Sequence, residues 1–232
     1  DNGITPSYPY EIWFVNHTHP TPAFRNKVVV NRYDGVNNPG IFSNLLLNDD
    51  KFHHIAFTKR GAVLELFIDG ITQGTIADNT TGNTTNTLPL IIGGAPNGSI
   101  PLDGDIDEVR IWRAGMTQTE IRDRMCKKIT SSDPLYTNLV AYYNFDETAG
   151  TTAFDGTVNA NNGTLTNNPA RVTSGAAIGN ASSHDYVNAA KTVSLTHAAG
   201  ENFTVISTSG LPTGIQVYMV DEKPNTLTGA SG

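Results

Sequence analysis

What most constrains this chain is a rhythm. Short runs rich in β-branched and aromatic residues recur at 8–15, 27–33, 41–47, 53–59, 63–69, 88–93, 105–112 and 139–146, and Gly, Pro, Asn or Asp breaks nearly every gap between them. Runs of this length and spacing predict an all-β fold of the sandwich or barrel kind. Lys59-Arg60-Gly61-Ala62 reads as a tight reversal, and Asp69-Gly70 as a second one, because glycine tolerates the positive φ that such turns demand. In the strand between them Leu64, Leu66 and Ile68 alternate with Glu65 and Asp69, the period of two expected when one face is buried. One segment departs from the pattern. Thr117 followed three residues later by Glu120 forms a capping box, which predicts a short helix with Ile121 and Met125 on a single apolar stripe.

Composition narrows the function classes. The chain has 232 residues, enough for one sandwich with a real core and part of a neighbour. A net charge of −7 leaves no basic surface for phosphate backbones, which excludes nucleic acid as a partner. No apolar run approaches the ~20 residues of a membrane span, so membrane insertion is not expected. Cys126 is the single cysteine and reads as a small buried hydrophobe; with no second one there is no internal disulfide. The Asn- and Thr-rich tracts at 79–87 and 159–168 suit turns and strand rims, and place the chain outside the cell, secreted or attached to a surface. Composition changes after residue 181, where runs at 192–196, 202–206 and 214–220 read as three more strands. The expected organisation is a sandwich over 1–181, lacking its earliest strands, then the start of a second, incomplete β-sandwich module over 182–232, both covalently part of a larger multidomain chain.

Motifs make the fold more specific. The run Leu102-Asp103-Gly104-Asp105-Ile106-Asp107-Glu108-Val109-Arg110-Ile111-Trp112, followed by Met116-Thr117-Gln118-Thr119-Glu120-Ile121, resembles the signature of laminin-G-like and pentraxin-like jelly rolls of the concanavalin A-like class. Phe52-His53-His54-Ile55-Ala56-Phe57 resembles the family strand that usually reads Trp-x-His-Val-Ala, with Phe52 in place of the tryptophan. The segment 64–70 resembles the strand and Asp-Gly turn that follow, and Leu90-Ile91-Ile92-Gly93-Gly94 the Ile-Gly-Gly strand. Gly150-Thr151-Thr152-Ala153 and Asn162-Gly163-Thr164-Leu165, with the run from 139, resemble a segment common in bacterial surface proteins of this superfamily, and the wording is similar to multidomain secreted or gliding-associated proteins of Bacteroidetes. The resemblance implies a two-sheet antiparallel jelly-roll sandwich with one short helix. That fold hosts lectins, adhesins, hydrolase accessory modules and enzymes alike, so function must be argued from the site. The segment 139–165 either closes this sandwich or opens the next.

The acidic run is the first place to look for chemistry. A retaining glycoside hydrolase needs two carboxyl groups roughly 5 to 5.5 Å apart. Here Asp103 and Asp105 straddle Gly104 before the strand, and Glu108 is out of phase with Asp107, so the run reads as a rim turn with Glu108 and Arg110 paired outward. No Gly-x-Ser-x-Gly elbow and no phosphate loop occurs, and the chain reads as a non-enzyme. Asp107 shares the phase of Val109 and Ile111; a core-facing carboxylate there needs amide donors or a cation. Structural calcium is the candidate cofactor, since relatives bind it at loop rims and the loop 155–163 is rich in oxygen donors. The candidate ligands are Asp107, Asp155, Asn159 and Asn161. The alternative is that the Asn-rich loop satisfies itself through side-chain to backbone bonds. His17 and His19 are two apart but lack a third ligand, His53 or His54 reads as a hydrogen-bonded core histidine, and His184 and His197 lie far from any motif. The expected role is binding or adhesion to a glycan or a cell-surface protein through rim loops. Tyr33, Tyr136 and Tyr186 are the candidate stacking rings, each also readable as a partly buried strand or loop residue. The rival classes are an accessory piece of a secreted glycoside hydrolase or protease, and a structural spacer in an adhesin stalk.

Overall fold

The structure, a computed structural model, describes residues 8–82, 84–95, 100–172, 174, 176 and 178. The chain divides into two units, Asp1–Ser182 and Ser183–Gly232, and everything below concerns the first. The strands expected at 192–196, 202–206 and 214–220 lie outside the described residues, as do Tyr186, His184 and His197.

Strands β1 (Tyr10–Phe14), β2 (Val28–Arg32) and β3 (Gly40–Phe42) form one antiparallel sheet in that order. Strands β4 (Ile55–Arg60), β5 (Val63–Ile68) and β6 (Ile71–Ala77) form a second, joined by the two expected hairpins. The alternation read along β5 sets the layers. Val28, Val30 and Ile41 of the first sheet meet Leu64, Leu66 and Ile68 of the second in one buried cluster, with Ile55, Phe57 and Ile76 at its margin. Each such side chain removed from water contributes about 1.5–3 kcal/mol. Phe67 points the other way and packs with Met116 and Ile121, so helix α1 (Gln118–Arg122) covers the far face of the second sheet. The capping box is formed: the Glu120 amide donates to the Thr117 hydroxyl, and the Thr117 amide to the Glu120 carboxylate at 2.7 Å. Asp69 and Gly70 both take positive φ, as a two-residue hairpin turn requires.

Strand β7 (Val109–Trp112) pairs with β8 (Leu139–Tyr143), and the short β9 (Thr152–Ala153) with β10 (Gly163–Thr164). Ala141, Tyr143 and Ala153 share a buried cluster flanked by Val109, Ile111 and Leu165. Of the two placements left open for 139–165, the pairing of β8 with β7 favours closure of this sandwich.

Three expectations need correction. The run 88–93 is not a strand: Leu90, Ile91 and Ile92 are all exposed, without a ladder partner among the described residues, and Gly93 turns at positive φ. The strand expected from 105 begins only at Val109, because Glu108 takes φ 55° and breaks the extended run. Glu108 and Arg110 do pair, but enclosed rather than outward, their side chains only 8% and 7% exposed.

Candidate functional site

Register across the first sheet sorts its side chains into two faces. Tyr10, Ile12 and Phe14 stand opposite Arg32, Val30 and Val28 on the side of the sheet that bears the core, yet on this edge strand they overhang it and are exposed. Glu11 and Trp13 stand opposite Asn31 and Val29, which in turn stand opposite Gly40 and Phe42. The face away from the core therefore carries two rows across three strands, an apolar row of the half-buried Trp13, Val29 and Phe42 and a second, polar row of the half-buried Glu11, the buried Asn31 and Gly40. Lys27, two residues before Val29, lies at the far end of the same face.

The loop between β1 and β2 extends the apolar row. Its ends are closed by the Val15 amide on Lys27 O at 2.8 Å and the Asn26 amide on Val15 O at 2.7 Å. Within it Pro22–Phe24 makes one 3-10 turn, and Phe24 stacks on Phe42 with centroids 4.2 Å apart and planes 14° from parallel. His19 lies with its ring centroid 5.7 Å from that of Phe24 and accepts the Thr21 amide at 3.1 Å through Nδ1. His19 is thus part of a loop scaffold.

The polar row is tied to the apolar one. Glu11 Oε2 accepts from Trp13 Nε1 at 3.1 Å and from Asn31 Nδ2 at 2.8 Å. Glu11 Oε1 is enclosed and has no donor among the described residues. Chemically this face offers half-buried aromatic surface, with Glu11 and Asn31 spent on holding it, a lining that suits a ligand with an apolar face.

The residues singled out as metal ligands take other partners. Asp107 is half-buried rather than in the core, since the turn of backbone at Glu108 breaks the phase that pointed it inward; it accepts the Glu108 amide at 2.9 Å and the Ser174 hydroxyl at 2.5 Å. Asp155 is buried. Its Oδ1 accepts the amides of Tyr142 and Thr157, both at 3.0 Å, and its Oδ2 the Thr157 hydroxyl at 3.0 Å and the Asn161 amide at 2.9 Å. Desolvation alone would raise its pKa, but these amide bonds outweigh it and hold the carboxyl below its ordinary value. Asn159 and Asn161 turn their amide nitrogens to Val140 O, at 2.8 and 3.3 Å. In this arrangement all four lone-pair sites of Asp155 are occupied by protein donors, which leaves that carboxylate no free site for calcium. No cluster of three His, Cys, Asp or Glu suited to a metal occurs among the described residues.

Three further polar groups are structural. Glu108 Oε2 accepts the Tyr142 hydroxyl at 2.7 Å as well as pairing with Arg110, whose guanidinium also donates to Arg124 O at 2.8 Å. Asp78 is held by Arg32 at 3.1 Å and Lys59 at 3.2 Å. His53 lies between Asp69 at 2.7 Å and Asp49 at 3.0 Å. Two of the expected stackers are among the described residues: Tyr33 donates its hydroxyl to Gly35 O at 2.9 Å, and Tyr136 packs half-buried against the cluster of Ile129, Leu139 and Tyr142. Trp13, Phe24, Phe42, Glu11 and Asn31 were not singled out from the sequence. The alternation of Glu11 and Trp13 was the only local signal; the rest depends on register.

Residues 10–122 match the family model of the concanavalin A-like lectin/glucanases superfamily. Two solved structures are similar. One is a protein of Bacteroides ovatus provisionally assigned to carbohydrate binding, 22% identical with a TM-score of 0.46, the match covering 61% of this chain and 43% of that one. The other is an S-layer domain-containing protein of Clostridium thermocellum, 24% identical with a TM-score of 0.26, covering 41% of this chain and 49% of that one. The chain therefore spans less than half the length of either. No curated protein matches it.

Proposed function

We propose that the concanavalin A-like segment is a non-catalytic, extracellular carbohydrate-binding module that docks a glycan on the outward face of β1, β2 and β3. The observation that carries this reading is the row of Trp13, Val29 and Phe42, extended by Phe24 stacked on Phe42, beside the polar row of Glu11 and Asn31. Aromatic rings fixed on a sheet accept the C–H face of a pyranose, and Glu11 and Asn31 hold the indole of that surface in place. The superfamily match over the same residues supports a sugar as the ligand. The face lies on a sheet rather than on the rim loops favoured from the sequence, whose Tyr33 and Tyr136 have partners of their own. The non-catalytic part of the reading draws on the acidic run: Asp103 and Asp105 are exposed, while Asp107 and Glu108 are committed to Ser174 and to Arg110 and Tyr142. A glycan array probed with the whole chain tests the proposal, and binding to a defined set of neutral glycans that Trp13→Ala abolishes is the expected result. Binding unaffected by that substitution, or turnover of a glycan by the pure protein, overturns it.

A further inference from the structure

We infer that Glu11 is the positioning residue of this face, holding the Trp13 indole in the orientation that receives the ligand; the inference rests on the glycan-platform reading above. Glu11 and Trp13 are two apart on β1, so their side chains stand on one face about 7 Å apart along the strand. An indole on a strand turns about two side-chain torsions, the second of them broad. The bond from Trp13 Nε1 to Glu11 Oε2 selects one setting. That oxygen is itself fixed from across the ladder by Asn31 Nδ2, on a residue that is nearly wholly buried. The chain of contacts runs from the rigid central strand through Asn31 and Glu11 to the ring, which is how a binding surface is set before its ligand arrives.

The second carboxylate oxygen bears on the role. Glu11 Oε1 is enclosed without a donor among the described residues, and an enclosed acceptor left unpaired opposes folding. A side chain kept for stability alone would be expected to satisfy both oxygens, as Asp155 and Asp78 do on this same chain. What Glu11 does satisfy is the indole N–H.

The test compares Glu11→Met, which keeps the bulk and removes the acceptor, with Glu11→Gln, which keeps an acceptor oxygen at the same length; Glu11→Ala serves as a second deletion. Cellohexaose, laminarihexaose, xylohexaose and mannohexaose are titrated calorimetrically into the whole chain. Acrylamide quenching of Trp13 is read as the difference from the same chain carrying Trp13→Phe. The expected result is that Glu11→Met weakens the bound oligosaccharide by about tenfold and makes Trp13 easier to quench, while Glu11→Gln stays within about twofold of the parent on both readouts. Parent affinity and parent quenching in Glu11→Met and Glu11→Ala, with Trp13→Ala still losing the ligand, overturn the role given to Glu11 and leave the platform standing. Full affinity in Trp13→Ala, or no binding of any of the four, overturns the platform and the role together.

Discussion

Arg122 donates its Nε to the carbonyl of Gly70 at 2.9 Å, fastening helix α1 to the tip of the hairpin between β5 and β6. Gln118 donates to the same carbonyl at 2.9 Å, and a Cβ on Gly70 would stand 2.7 Å from Arg122 Cγ. Gly70→Ala therefore meets two penalties: a positive φ, costing about 1–2 kcal/mol for a residue with a Cβ, and a clash with the helix. Gly61 also has positive φ, yet its Cβ would meet nothing within 4 Å. Urea unfolding should show Gly70→Ala losing more stability than Gly61→Ala by about 1 kcal/mol or more. Equal losses would mean that the helix contributes nothing at the turn.

Asp78, just past the end of β6, ties that strand to β2 and β4. Its side chain is 2% exposed, paired with Arg32 at the end of β2 and Lys59 near the end of β4, and it accepts the Thr80 amide at 3.1 Å. Desolvation pushes its pKa up, but the Thr80 hydrogen bonds and the two cations more than reverse this. Asp78→Asn leaves the Arg32 guanidinium enclosed with no counter-charge, and should cost about 3–5 kcal/mol in urea unfolding. Adding Arg32→Met should recover part of that loss; no recovery would show that the pairing is not its source.

Two adjacent histidines should give opposing pH dependences. For His53 desolvation is the largest single influence and lowers the pKa, but the hydrogen bonds and charges of Asp69 and Asp49 together raise it above its ordinary value. Its stabilisation is complete below the unfolded pKa near 6.5 and fades as pH rises through the folded value. For His54 desolvation first, then the charge of Arg110, lower the pKa to about 4, against a smaller opposing effect of Asp69. Its contribution is complete above about 6.5 and fades as pH falls towards 4. In thermal unfolding from about pH 4 to 9, His54→Gln should flatten the acid limb and His53→Gln the alkaline one. Unchanged limbs would remove both assignments.

The Asp155 cage predicts that chelator leaves the melting temperature where it is, while Asp155→Ala, which strands the amides of Tyr142, Thr157 and Asn161, lowers it. The calcium site expected from the sequence predicts otherwise: about 2.7 kcal/mol of stabilisation at a hundredfold excess of calcium over Kd, lost in both Asp107→Ala and Asp155→Ala. Melting in chelator and in calcium separates the two.

What could be read from the sequence was local or periodic. The capping box of Thr117 and Glu120, the Asp69-Gly70 turn and the alternation along β5 each depend on residues within a few positions, and the structure has all three. What could not be read depends on distant partners. The Tyr142 amide reaches Asp155 from thirteen residues away, and the positive φ of Glu108 reset the phase assigned to Asp107. Leu90, Ile91 and Ile92 have the composition of a strand without a partner to pair with among the described residues. The candidate site was legible by half: Glu11 and Trp13 share a face by period alone, but only the register of β1 on β2 and β2 on β3 brings Asn31 and Phe42 beside them.

The most direct measurement is calorimetric titration of the strongest ligand from the glycan array into the parent chain, Trp13→Ala, Phe42→Ala, Tyr33→Ala and Tyr136→Ala, with each fold checked by circular dichroism. The sheet-face account predicts affinity losses of about tenfold or more for Trp13→Ala and Phe42→Ala, and losses within about twofold for the two tyrosine variants. Parent affinity in Trp13→Ala and Phe42→Ala, with binding lost in Tyr33→Ala or Tyr136→Ala, would contradict it and return the ligand to the rim loops.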